Sequence, residues 1–295
     1  MARAALDETA FLPPRTPTRP RRSPPPGAID CHAHVFGPLD RFPVSVDRSY
    51  DVFELAAERY LEMLDGIGFA RGVLVTASAY GTDNRALIHA LSAYPERLRG
   101  VAVVTERVTY EELIALRRAG VCGLRFTQLG DRPAFRGTVG YSALEVLAPT
   151  MREVGLHAQI WTLCDLFAEQ HRALLGLGIP IVLDHMGLFD PSRGTADAAF
   201  QTLLGLLTDG SVWVKLTAYR MSRRYPEYDD MRAFHGAMLD ANPDQLVWGS
   251  DWPHVRMTDQ MPDDGHLVDS CLEWTGDDAL VHKVLVANPA RLYGF

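Results

Sequence analysis

Three observations predict that this 295-residue chain folds as a closed (β/α)8 barrel. Short runs of apolar and β-branched residues alternate eight times with longer segments of helical periodicity. The short runs are nearly all apolar, so both faces of the sheet must be covered, as they are when parallel strands are wrapped by crossover helices. No Gly-x-Gly-x-x-Gly follows the first run, which disfavours an open doubly wound sheet, the other architecture built from such units.

Residues 1–27 stand apart from this alternation. Pro13, Pro14, Pro17, Pro20, Pro24, Pro25 and Pro26 fall among arginines there, a composition that favours extended backbone over a packed element. We read them as an arm on a barrel of residues 28–295. A solvated tail is the expectation, and draping over the barrel or a partner subunit is the other option. Strands are expected at 28–36, 72–77, 99–105, 122–127, 157–162, 179–184, 212–216 and 245–249. Helices are expected at 52–66, 83–93, 110–119, 141–154, 166–177, 196–207 and 229–241, with two more, 265–275 and 277–286, after the last strand. Gly66, Gly120 and Gly155 are read as helix stops.

With 47% hydrophobic and 22% charged residues the chain is neither disordered nor collagen-like. Basic residues number 29 against 37 acidic ones, a net charge of -8, so there is no basic footprint for a phosphate backbone and nucleic acid is not an expected partner. Cys31, Cys122, Cys164 and Cys271 lie far apart, which suggests neither a disulfide framework nor a zinc knuckle. No apolar run approaches the roughly 18 residues of a membrane span, and Arg21-Arg22 is followed by Ser-Pro-Pro-Pro where a signal peptide needs an apolar stretch. A cytoplasmic protein without membrane contact is expected. A homo-oligomer stays open.

Reactive side chains of such barrels sit at the C-terminal ends of the strands. The first strand ends Asp30-Cys31-His32-Ala33-His34, and the strand period of two points both imidazoles to one face. The sixth ends Val182-Leu183-Asp184-His185-Met186-Gly187, and the eighth Val247-Trp248-Gly249-Ser250-Asp251-Trp252-Pro253-His254. Alone, His185 could be a loop histidine and Asp251 a helix cap. Arginines also gather near strand ends: Arg125 on the fourth, Arg132 and Arg136 in its loop, and Arg220, Arg223 and Arg224 after the seventh. Guanidinium groups pair with carboxylate or sulfonate, so this distribution points to a substrate with more than one anionic group. Arg125 and Arg220 are favoured over the other four. Trp161 and Tyr80 are candidates to flank a flat ring.

The chain resembles the amidohydrolase superfamily, whose barrels carry His-x-His after the first strand, a histidine after the sixth and an aspartate after the eighth. It is most similar to the 2-pyrone-4,6-dicarboxylate lactonase group, which includes sulfomuconolactone hydrolases. The likeness rests on Pro-Pro-Gly-Ala-Ile-Asp-Cys-His-Ala-His-Val-Phe-Gly-Pro from Pro25, on Gly81-Thr82-Asp83-Asn84, and on the sixth- and eighth-strand motifs. The closing Asn288-Pro289-Ala290-Arg291-Leu292-Tyr293 is also typical.

The resemblance implies a hydrolase that opens a small anionic lactone in aromatic-compound breakdown. His32, His34 and His185, cationic or metal-bound, would stabilise the oxyanion, and Asp251 would activate water and return the proton to the departing oxygen. His254, three residues on, could hold Asp251 or touch substrate, with a structural hydrogen bond in the loop as the other reading. Positions matching Tyr50, Ser78, Arg125 and Arg220 hold carboxylates in that group. Leu188 stands where the group has an arginine, which leaves room for a sulfomuconolactone-like substrate. Binuclear relatives bridge two metals with a carboxylated lysine after the fourth strand. Lys215 and Lys283 are the only lysines, and neither is there. The implied cofactor is therefore one divalent metal, zinc, on His32, His34, His185 and Asp251, with a metal-free site as the alternative. A zinc-dependent decarboxylase, a lactone isomerase and a ligand-binding barrel without turnover are the rival readings.

Overall fold

The computed structural model describes residues 12–130 and 136–295. Eight parallel strands form one sheet in sequence order: β1 (Ile29–Ala33), β2 (Arg71–Val75), β3 (Leu98–Ala102), β4 (Val121–Gln128), β5 (His157–Thr162), β6 (Ile181–Leu183), β7 (Trp213–Leu216) and β8 (Leu246–Trp248). Around them lie α1 (Ala57–Ile67), α2 (Arg85–Ala93), α3 (Tyr110–Arg118), α4 (Tyr141–Val154), α5 (Cys164–Leu175), α6 (Ala198–Thr208) and α7 (Arg232–Ala241). After β8 come α8 (Asp264–Thr275), α9 (Asp278–His282) and α10 (Asn288–Tyr293). This is the (β/α)8 barrel that the alternation predicts.

The two ends of the sheet meet beyond β8. Ala33 bridges Trp252 in parallel, the His34 amide donates to the Trp252 carbonyl at 2.7 Å, and the Asp251 amide donates to the His32 carbonyl at 2.8 Å. The strands approach so closely that a Cβ on Gly249 would lie 2.8 Å from that of His32, so only glycine fits. Asp30 locks this seam from below. Its buried carboxylate accepts from the Ser250 amide at 2.8 Å, the Ser250 hydroxyl at 2.6 Å, the Tyr60 hydroxyl at 2.9 Å and the His32 amide at 3.1 Å. Burial nevertheless pushes its pKa up to about 6.

The opposite end of the barrel is plugged with apolar side chains. Ile29, Cys31, Val73, Val101, Cys122 and Val247 pack there with Tyr293 of α10, and burial of these fills the space between the strands. All four cysteines are buried and free. Among the described residues no helix is long and apolar enough to cross a membrane.

Several boundaries differ from the sequence expectation for local reasons. The helix expected at 52–66 starts only at Ala57, because Leu55 exchanges both backbone hydrogen bonds with Phe36, at 2.7 and 2.8 Å. Gly66 lies inside α1, which ends at a left-handed Gly68 instead. The segment 277–286 becomes α9 followed by a widened turn, Lys283–Ala287, before Pro289, which has no N–H to give back to the preceding turn.

The solvated-tail expectation fails for residues 12–27, which run over the barrel. The Leu12 amide donates to Met257 at 2.8 Å, and the Arg21 guanidinium meets Asp269 at 3.0 Å. Thr18 gives its amide and hydroxyl to Asp263, both at 3.0 Å. The same Asp263 caps α8 through the Gly265 amide at 2.9 Å. A Cβ on Gly265 would lie 1.9 Å from the Thr18 carbonyl oxygen. Asp263→Ala should therefore cost a helix cap and an anchor of the arm together, about 1–2 kcal/mol, read as a lower urea midpoint with an unchanged slope.

Candidate active site

The seam sets the site. It brings the end of β1 against the loop after β8, so His32, His34 and Asp251 face one another, and the loop after β6 adds His185. The two Nε2 atoms of His32 and His34 lie 3.4 Å apart. Asp251 Oδ1 is 3.6 Å from the first and 3.5 Å from the second, and His185 Nε2 is 3.9 Å from Asp251 Oδ2. All four residues are buried. His185 and Asp251 both adopt positive φ, 49° and 59°, which turns each side chain inward immediately after its strand.

Hydrogen bonds fix which atoms face the cluster. His34 Nδ1 is 2.8 Å from the Val75 carbonyl; a carbonyl only accepts, so Nδ1 carries the proton and Nε2 presents a lone pair. His32 Nδ1 is 3.2 Å from Asp184 Oδ1 and 3.3 Å from Lys215 Nζ. In the Nδ1–H tautomer favoured by that carboxylate, the His32 Nε2 lone pair meets the other. Asp251 Oδ2 accepts from the Tyr219 hydroxyl at 2.9 Å and from Arg220 Nε. Its Oδ1 is buried with no hydrogen-bond partner among the described residues.

Beneath His32 sits a charged layer. Asp184 Oδ2 accepts from Arg125 Nε and Gln159 Nε2, both at 3.1 Å. Lys215 Nζ donates to Gln159 Oε1 at 2.6 Å and lies 3.5 Å from Asp184 Oδ1. Lys215 and Asp184 are both fully buried. Burial by itself would raise the Asp184 carboxyl, but His32, Lys215 and Arg125 around it hold it well below the ordinary range. Asp251 follows the same logic: burial works upward, and Arg220, then His185, outweigh it. Burial pushes His185 down to about 4 and His32 well below its usual value, so both imidazoles are neutral at neutral pH. The cationic form considered from the sequence does not suit these two.

The donor set fits a metal ion. Ligand atoms of His32, His185 and Asp251 all lie within 4.8 Å of one another. A tetrahedral ion with donors at about 2.1 Å has edges of roughly 3.4 Å. The 3.4, 3.5 and 3.6 Å separations among His32, His34 and Asp251 match that spacing. The orphaned Asp251 Oδ1 and the His34 lone pair both call for positive charge between them.

Above the cluster opens a cavity of about 310 Å³. Tyr50, Ser78, Arg125, Trp161, Leu188, Arg220, Val255 and Arg256 line it together with His34, His185 and Asp251. Ser78 Oγ donates to the Tyr50 hydroxyl at 3.5 Å, and the Arg125 guanidinium lies over the Trp161 ring at 5.3 Å. Tyr50, Ser78, Arg125 and Arg220 thus meet around one space.

Other expected residues are elsewhere. His254 is turned away from the cavity: its Nε2 is 3.1 Å from Asp264 of α8, and it packs edge-on to Tyr219. Tyr80 flanks no ring site; its hydroxyl accepts from the Gly37 amide at 2.7 Å and its ring stacks on Phe36. Arg136, Arg223 and Arg224 pair with Asp47, Asp190 and Asp229, outside this cavity. Arg132 lies outside the described residues. Sequence reading missed Arg256, Tyr219 and the Asp184–Gln159–Lys215 layer. Only the rarity of lysine hinted at the last.

Comparison with known proteins places this geometry among relatives. The family model described as amidohydrolase matches residues 29–295. A protein of Rhizobium radiobacter named 4-sulfomuconolactone hydrolase is 36% identical, covering 97% of this chain and 98% of its own. A Comamonas testosteroni protein named 2-pyrone-4,6-dicarboxylate hydrolase is 33% identical, covering 94% and 93%. An apo crystal structure from Agrobacterium tumefaciens is 25% identical with a TM-score of 0.82, covering 94% and 98%.

Proposed function

The chain belongs to the amidohydrolase family, and from that membership together with the imidazole–carboxylate cluster we propose that it hydrolyses a small anionic lactone. The observation that carries the reading is Asp251 Oδ1, buried with no hydrogen-bond partner among the described residues and 3.5–3.6 Å from two imidazole nitrogens, in a cavity lined by arginines. Relatives named as lactone hydrolases support it.

In this reading Arg125, Arg220, Tyr50 and Ser78 hold the anionic groups and place the lactone carbonyl over the histidines. Asp251 Oδ1 accepts a proton as water adds to the acyl carbon. The ring C–O bond breaks, and the same carboxyl returns the proton to the departing oxygen. Tyr219 and Arg220 keep the other oxygen fixed, so Oδ1 stays aimed at the water. Since the buried His32 and His185 are neutral, the cavity arginines are the side chains of this chain that bring positive charge toward the oxyanion. His32, His34, His185 and Asp251 would hold one zinc ion, which when bound polarises the carbonyl.

Two measurements test this. A pH-indicator assay on anionic lactones should show acid release, with a product heavier than substrate by one water; an unchanged mass would mean an isomerase, and loss of carbon dioxide a decarboxylase. Chelation should remove most of the activity, and zinc should restore it at about one ion per chain. Full activity in metal-free protein would assign the chemistry to the side chains alone.

The pH dependence follows from burial. Because the charged imidazole is disfavoured, His185 stays neutral until about pH 4. The acid limb of kcat/KM should therefore fall near pH 4 and not near the ordinary histidine value of about 6.5.

A further inference from the structure

The loop after β8 carries the Asp251 carboxylate on strained backbone. Asp251, His254 and Arg256 have φ of 59°, 62° and 68°, three of the seven positive values on non-glycine residues among those described. Such conformations persist where the surroundings over-determine them. Asp251 is held from both sides: its amide donates to His32 across the seam at 2.8 Å, and its carbonyl accepts from the His254 amide, also at 2.8 Å. The donors to Asp251 Oδ2 reach the same place. Tyr219, whose hydroxyl donates to it at 2.9 Å, packs edge-on to the His254 ring with the centroids 5.1 Å apart. Arg220, the other donor, gives Nη1 to the Val255 carbonyl at 3.0 Å. A shift of His254 would therefore disturb the backbone of Asp251 and both of its donors together.

What holds His254 is on another element. Its Nε2 lies 3.1 Å from Oδ1 of Asp264, and both side chains are at most 1% exposed. None of the four side-chain nitrogen and oxygen atoms of the pair has a hydrogen-bond partner elsewhere among the described residues. A buried pair of this kind is weak ground for stability, and keeping one geometry is the better attested use of buried polar groups. Asp264 is a fixed point for that purpose. It opens α8 directly after the cap Asp263, which takes the Gly265 amide at 2.9 Å and the Thr18 amide of the arm at 3.0 Å.

We propose that Asp264 is a positioning residue: through His254 it fixes the loop that aims Asp251 Oδ1 at the imidazoles. Its kinetic readout rests on the lactonase reading; its structural readout does not. Asp264→Ala should lower kcat about a hundredfold with little change in KM, the cost of displacing a reacting group by about 1 Å. In a crystal structure of that variant, Asp251 Oδ1 should lie about 1 Å farther from His34 Nε2 than the 3.5 Å seen here. Asp264→Asn, whose carbonyl oxygen can stand in the place of Oδ1, should recover most of the lost turnover. A double variant separates position from stability. Asp264→Ala with His254→Leu leaves no buried imidazole unpaired, so its urea midpoint should rise above that of the single variant while kcat stays low. Should Asp264→Ala alone not fold, the double variant carries both readouts. A pair that serves stability only predicts that kcat returns with the midpoint. That return, wild-type kcat in folded Asp264→Ala, or an unmoved Oδ1 would overturn the proposal. If the unaltered chain opens no lactone, the lactonase reading falls and the position of Oδ1 still decides this one.

Discussion

Asp251→Asn is expected to lower kcat for lactone opening at least about a thousandfold while KM changes little, the pattern of a lost proton acceptor. The reasoning is geometric. Asparagine keeps the shape of the side chain, and its carbonyl oxygen can still accept from the Tyr219 hydroxyl, now 2.9 Å from Oδ2. Its amide nitrogen then takes the place of Oδ1 and donates toward His34 Nε2, 3.5 Å away. The fold should survive, because no buried lone pair is newly orphaned. What is lost is the proton acceptor in the cavity and a negative ligand for a cation. Turnover surviving within about tenfold of wild type would remove Asp251 from the base role assigned here. Metal content measured on the same variant separates the two losses: normal content with no turnover points to the base, and reduced content to the ligand.

Much of this was legible in the chain because it is local. Nearly all-apolar runs define buried parallel strands, and strand-end positions define the mouth of a barrel, so His32, His34, His185 and Asp251 could be named before any coordinates. Their meeting point could not be derived from spacing. It depends on the β1–β8 seam, a register between residues more than two hundred positions apart, for which the Gly249 and Asp30 contacts are the physical cause. Loop residues could not be placed for the same reason. His254 is three residues beyond Asp251, but the positive φ at both residues, 59° and 62°, swings it outward to α8. Arg256 carries no strand-end signal at all; only the folded loop brings it to the cavity. Lys215 was visible as a rare lysine, yet its work beneath His32 is a product of inward alternation on three strands.

That buried layer supports the other large effect. Asp184→Ala should cost about 3–5 kcal/mol, the range for breaking a buried ion pair by removing one partner. Lys215 would lose the carboxylate 3.5 Å away, Arg125 would lose its partner at 3.1 Å, and His32 Nδ1 would keep only the ammonium 3.3 Å from it. An ammonium donates, so it favours the His32 tautomer with the proton on Nε2, the atom that faces His34 and Asp251; activity should fall even in the fraction that stays folded. Folded Asp184 is held well below the ordinary carboxyl range, so it binds fewer protons folded than unfolded. It therefore contributes stability above about pH 4 that is lost as pH falls, and the variant should lose stability less steeply in acid. Adding Lys215→Met tests the cause. If the cost is an uncompensated buried charge, removing the ammonium should restore a sizeable part of it, and the two substitutions will be strongly non-additive. Simple addition of the two losses would mean that Asp184 acts through packing, and that the tautomer of His32 is set elsewhere.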